Sequence, residues 1–135
     1  MNLLKKDIIG LINNAEISYV ATSDKNGYPH LAVEKGLKVL EEKYLGFSAW
    51  FCNKTVENLC NNPKITIAIF DPLLKKGYQF SGEVIEIKEG AMLNGFSPEL
   101  EKKEREFPQV ERRLKIKIDE VLDFSTGAHS DKNIL

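Results

Sequence analysis

The chain has 135 residues and a formal net charge of −1, which fits one domain over residues 1–135 and excludes a global positive field for nucleic acid or anionic membranes. A hydrophobic share of 42% beside 29% charged residues allows an ordinary globular core. No apolar run approaches the roughly 20 residues of a membrane helix, and charges interrupt Met1-Asn2-Leu3-Leu4-Lys5-Lys6-Asp7 where a signal peptide would be apolar, so the expected location is cytoplasmic.

In chain order, Leu4, Ile8, Leu11 and Ile12 recur at three- and four-residue spacings, which predicts an amphipathic helix over residues 3–14. Residues 17–22 read as a strand, followed by the turn signal Asn26-Gly27. A second strand starts at Pro29 and places Leu31, Val33, Leu37 and Val39 on one face, with Lys35 among them. Residues 44–49 make a third strand. Residues 53–61 predict a short helix capped by Asn53 and ended at Asn61-Asn62-Pro63. The almost continuous apolar run 65–70 predicts a strand covered on both sides. In residues 77–88 the apolar parity switches after Gly82, which predicts a bulge between residues 82 and 85. Residues 90–107 read as a charged helical excursion, and Leu114, Ile116, Ile118, Leu122 and Phe124 mark a last strand. The polar tail 125–135 is expected either to be mobile or to dock on a partner. One small helix amid hairpin-spaced strands predicts a mainly β fold, a six-stranded antiparallel barrel, closed or partly closed.

Chemistry concentrates where the third strand meets the short helix. The start of a helix presents free N–H groups and a partial positive charge; Lys54 adds a full charge and Thr55 a hydroxyl. That set suits a phosphate monoester, and its order is not that of a P-loop. Lys35, on a face read as apolar, needs an anionic partner or a path to solvent along its own stem. Trp50 and Tyr78 serve either as walls for a flat ring or as core, and Gln79 offers a polar edge. Cys52 and Cys60 match no redox or zinc spacing and are expected to be free thiols, and His30 and His129 form no metal cluster.

Taken together, Asn26-Gly27-Tyr28-Pro29-His30-Leu31, Lys35-Gly36, Lys54-Thr55 with Asn58-Leu59, Asn62-Pro63, and Gly77-Tyr78-Gln79 with Gly82 resemble the FMN-binding split barrels related to pyridoxamine 5′-phosphate oxidase. The resemblance runs from about Ile8 to Ser125, and residues 114–121 resemble the last strand of small members. It implies FMN as cofactor, held in a groove between two protomers of a homodimer. It implies that Lys54 and Thr55 grip the 5′-phosphate and that Asn58, in the same helix, belongs to the cofactor-binding set. It implies that Val33, Glu34 and Lys35, with Ser48, Ala49 and Trp50, border the ring, and that Gln79 faces the cofactor. The arginine- and histidine-rich features that full oxidases use for substrate phosphate are not evident. A small flavin oxidoreductase or electron carrier therefore fits better than a vitamin B6 oxidase. The competing reading is a module that binds FMN, haem or a deazaflavin without turnover.

Overall fold

The computed structural model of the chain describes residues 4–89 and 109–135. The helical excursion expected over residues 90–107 lies outside them.

Helix α1 (Lys6–Asn14) drives Ile8 and Ile12 into the core, as its apolar spacing requires. Strand β1 (Ser18–Ser23) follows and turns Ser18, Val20 and Thr22 inward. Asp24 closes the next turn: its Oδ1 accepts the backbone N–H groups of Asn26 at 2.8 Å and Tyr28 at 2.9 Å. Strand β2 (Pro29–Glu34) returns antiparallel to β1, with Ser18 opposite Glu34, Val20 opposite Ala32 and Thr22 opposite His30.

This register corrects the sequence expectation for β2. Partners directly opposite share a face, so His30, Ala32 and Glu34 point inward and Leu31 and Val33 outward. Leu31 is 69% and Val33 56% exposed. The expected single strand also breaks at Lys35-Gly36. Gly36 has φ 93°, and a Cβ there would collide with the carbonyl oxygen of Ser48. The kink flips the parity: in β3 (Leu37–Val39), Leu37 and Val39 pair with the inward Phe47 and Leu45 of β4 (Tyr44–Cys52). Leu31 and Val33 thus share a parity with Leu37 and Val39 and face the other way.

Helix α2 (Asn53–Asn61) forms where expected and ends before Pro63, but its capping residue is Cys52, not Asn53, and it carries no side-chain cap bond. Strands β5 (Lys64–Asp71), β6 (Lys76–Glu89) and β7 (Gln109–Asp123) complete the sheet. The β6–β7 register shifts between Ser81 and Gly82 and again between Val84 and Glu86, the fault that the parity switch marks.

Among the described residues, seven strands form one antiparallel sheet in the order β2-β1-β5-β6-β7-β4-β3. The six expected strands become seven because Gly36 cuts one in two. The two edge strands, β2 and β3, are consecutive in the chain, so the sheet must curl until its edges meet. The link between them is Lys35-Gly36, where Ser48 of β4 donates its backbone N–H to Gly36 O at 3.4 Å and extends the β3–β4 ladder toward β2. The result is a split β-barrel.

The barrel is filled by residues such as Phe47, Phe51, Ile67, Phe80 and Ile116, all buried. Tyr78 is part of this core, and its hydroxyl donates to Asp7 of α1 at 3.1 Å. The tail docks on its own sheet. Pairing of β4 with β7 stops at Tyr44 and Lys117, and beyond it Asn133 Oδ1 accepts the Val121 N–H at 3.0 Å while Ile134 donates to Val121 O at 2.9 Å. A strand edge that would otherwise be open is covered.

Candidate functional site

Strand β4 alternates cleanly. Leu45, Phe47, Ala49 and Phe51 are buried, while Ser48, Trp50 and Cys52 are half-buried on the outer side. The chain then passes directly into α2, where Lys54 is exposed and Thr55 is 0% exposed. The ten residues singled out by sequence therefore fall into two sets. Val33, Lys35, Ser48, Trp50, Lys54 and Gln79 lie at the outer surface, exposed or half-buried. Glu34, Ala49, Thr55 and Asn58 are buried.

The Gly36–Ser48 contact gathers most of the outer set. Lys35 lies next to that contact, Val33 precedes it on β2, and Trp50 and Lys54 follow it along β4 into α2. Gln79 stands apart. The ladders place Val33 opposite Tyr19, Tyr19 opposite Ala68 and Ala68 opposite Gln79. Three strand spacings, about 14 Å, separate Gln79 from Val33 within one chain.

Of the buried set, Ala49 belongs to the apolar core, while Glu34, Thr55 and Asn58 belong to a polar layer where α2 packs on β1 and β2. Asn58 donates its Nδ2 to Thr22 Oγ1 at 3.1 Å, fixing α2 to β1. Ser18 donates to the backbone oxygen of Glu34 at 3.5 Å. Within this layer Glu34 Oε2, His30 Nε2 and Thr55 Oγ1 are buried with no hydrogen-bond partner among the described residues. Burial pushes the Glu34 carboxyl up to about 7. Sequence reading missed Thr22 and His30 as members of this layer. Their signal was the alternation of Ser18, Val20 and Thr22 in β1, which fixes the inward parity of β2 once the two strands pair.

The outer side of the β1–β2 hairpin is apolar. Tyr19, Leu31 and Val33 are exposed there, with Ile17 just before β1. Two open grooves lie nearby. One of about 550 Å³ includes Ile17, Tyr19, Phe70 and Leu73 in its walls, and one of about 520 Å³ includes Ala21, Thr66, Ser81 and Glu120. Neither is lined by any of the ten residues. Both cysteines are free. Among the described residues no helix is long and apolar enough to cross a membrane.

A curled antiparallel sheet with a glycine corner and a short helix between its fourth and fifth strands defines the split-barrel class of folds. The chain belongs to the pyridoxamine 5′-phosphate oxidase family, whose sequence profile matches residues 4–123. It is 30% identical over 133 residues to the uncharacterized protein MJ0282 of Methanocaldococcus jannaschii, covering 97% of this chain and 87% of that one. Among solved structures it is similar to HupZ of Group A Streptococcus, with a TM-score of 0.69 and 26% identity over 94% of this chain and 98% of that one. An FMN-binding protein from Syntrophomonas wolfei shares the fold at a TM-score of 0.66 and 21% identity, covering 90% of this chain and 86% of that one.

Proposed function

We propose that this protein binds FMN in a groove shared by two copies of the chain and serves in the cytoplasm as a flavin oxidoreductase for a small molecule or as an electron carrier. The observation that carries the reading is Lys54, an exposed ammonium in the first turn of a helix whose start has no side-chain cap. The backbone N–H groups of a helix's first turn, together with the ammonium, are the donor set a phosphate monoester requires.

The residues present fit a flavin in two further respects. The outer side of β2 offers Val33 and Leu31 as exposed apolar surface for a flat ring. The kink at Gly36 lets the backbone of β2 press against Ser48, so that Lys35, Ser48 and Trp50 border one edge. Within this reading, Glu34, Ala49, Thr55 and Asn58 support from beneath: they hold β2, β4 and the start of α2 in register. Gln79 of one chain reaches the ring bound mainly by the other. A homodimer follows from the same surface, since Ile17, Tyr19, Leu31 and Val33 make an apolar face that association would bury.

When bound, FMN supplies hydride and electron transfer. The chain's own task is to grip the phosphate at Lys54, seat the ring against β2 and β4, and exclude water by dimer contact. The test is optical. Purified protein saturated with FMN is expected to retain about one flavin per chain after gel filtration, and turnover with NADH or NADPH separates an oxidoreductase from a carrier. A protein that retains no flavin contradicts the reading.

A further inference from the structure

Beneath the proposed flavin surface, the inner side of β2 carries polar groups where a barrel ordinarily buries hydrocarbon. Glu34 is only 7% exposed, and its Oε2, the Nε2 of His30 and the Oγ1 of Thr55 are all buried without a hydrogen-bond partner among the described residues. Each such atom destabilises the fold unless it is satisfied. Native proteins satisfy them with ordered water where the site is polar and roomy.

The placement makes a path. His30 and Glu34 lie on the same face of β2, four residues or about 13 Å apart, with only the small Ala32 between them. Helix α2 packs against both β1 and β2 and buries Thr55 and Asn58, neighbours one turn apart. Asn58 is already tied to Thr22, the cross-strand partner of His30. His30 is half-exposed and opens the path to solvent at its far end.

We propose that the seam between β2 and α2 holds a file of ordered water, and that this water makes Glu34 a reversibly protonated acid that takes up a proton when an anionic ligand binds at the start of α2 and along the outer side of β2. The second half rests on the functional reading above. Glu34 sits between Val33 and Lys35, the two residues assigned there to the ring, and the phosphate is assigned to Lys54, next to the buried Thr55 at the start of α2. Negative charge bound there within a Debye length of the carboxyl raises its affinity for a proton.

The surroundings leave Glu34 open to this control. Ser18 stands opposite on β1, and α2 turns Thr55 and Asn58 toward the seam while Lys54 and Glu57 are exposed. His30 lies at the other end of β2, Cys52 at the β4–α2 junction, and Glu111 opposite Trp50 on the outer side of β7. Burial alone shifts the carboxyl, to about 7, with no charged side chain contributing. Coupling of this kind is reciprocal, so FMN affinity must fall as pH rises through the range where Glu34 loses its proton.

The test joins two measurements on wild type and Glu34→Gln. Carboxyl carbon NMR of the flavin-free protein, assigned by the variant, is expected to show one glutamate titrating near neutral pH. Calorimetry with FMN near pH 7, in two buffers of different ionisation heat, is expected to show more proton uptake by wild type than by Glu34→Gln. The variant is the baseline that removes the contribution of the FMN phosphate itself. The Kd of wild type should also weaken several-fold more than that of the variant between about pH 6 and pH 8. A Glu34 carboxyl that titrates in the ordinary range, or none at all between about pH 5 and pH 9, overturns the hydrated seam. Equal proton uptake by the two proteins overturns the linkage and leaves FMN binding standing. Failure of both to bind FMN overturns the functional reading and the linkage together, while the NMR titration still decides the state of Glu34.

Discussion

Strands β5 and β2 lie in the same sheet, both paired to β1, and treat polarity in opposite ways. β5 buries Ile65, Ile67 and Ile69 and uses its outer side for Thr66, which shares a 3.0 Å hydrogen bond with Ser81. β2 buries His30-side atoms and the Glu34 carboxyl and exposes Leu31 and Val33. The first strand maximises apolar burial. The second gives up stability on both sides, and places where local rules are broken without local gain are where function is expected. The β1–β2 hairpin is thus assigned to ligand and partner, and the β5–β6 pair to holding the barrel together.

Substitutions can break this division. The largest effect is expected in β5: Ile67→Ala empties a fully buried position and should cost about 2–5 kcal/mol in denaturant unfolding, with FMN affinity of the folded fraction unchanged. A comparable loss of affinity would mean the two regions are not separable. Next, Lys54→Ala should weaken FMN binding by about 1.5–3 kcal/mol and riboflavin binding much less. Equal losses in a fluorescence titration would move Lys54 away from the phosphate.

A smaller effect belongs to Glu34, and its sign is set by the carboxyl being raised by burial to about 7. Between the ordinary glutamate value and that point the unfolded chain has released the proton and the folded one retains it. Stability is therefore full below about pH 4.3 and declines as pH rises toward neutrality. Glu34→Gln removes that decline, so chemical melts should show the variant gaining on wild type from about pH 5 to pH 8. Parallel pH profiles would show that Glu34 is not a buried acid in solution. The smallest effect is expected from replacing Cys52 and Cys60, both free, with serine: flavin content should hold, and a folded but flavin-free double variant would give Cys52 a role at the helix start.

Much of the fold could be read from local pattern because its signals are local. The Asn26-Gly27 turn, the parity switch after Gly82 and the stop before Pro63 each depend on a few neighbouring residues, and each stands where expected. What could not be read locally was the facing of β2. Leu31 and Val33 look like core by alternation, and only pairing with β1 and the kink at Gly36 turn them outward. Lys35 gains its route to solvent from the same inversion. The candidate site was visible as residue types, but its division into an outer surface and a buried polar layer depends on long-range pairing. The register also puts Gln79 three strands from Val33, a separation that no reading of spacing reveals.

In the proposed function, the apolar outer side of the β1–β2 hairpin is the dimer face that borders a shared flavin. The most direct measurement is light scattering combined with flavin absorbance on one chromatographic peak, for wild type and for Val33→Asp. Wild type should elute at about twice the 15.3 kDa chain mass with about one FMN per chain, as two-fold symmetry requires. Val33→Asp, altering an exposed side chain, should remain folded yet lose both the dimer and the flavin. A wild-type monomer that carries a full complement of FMN would contradict the claim, because half of each proposed site would be missing.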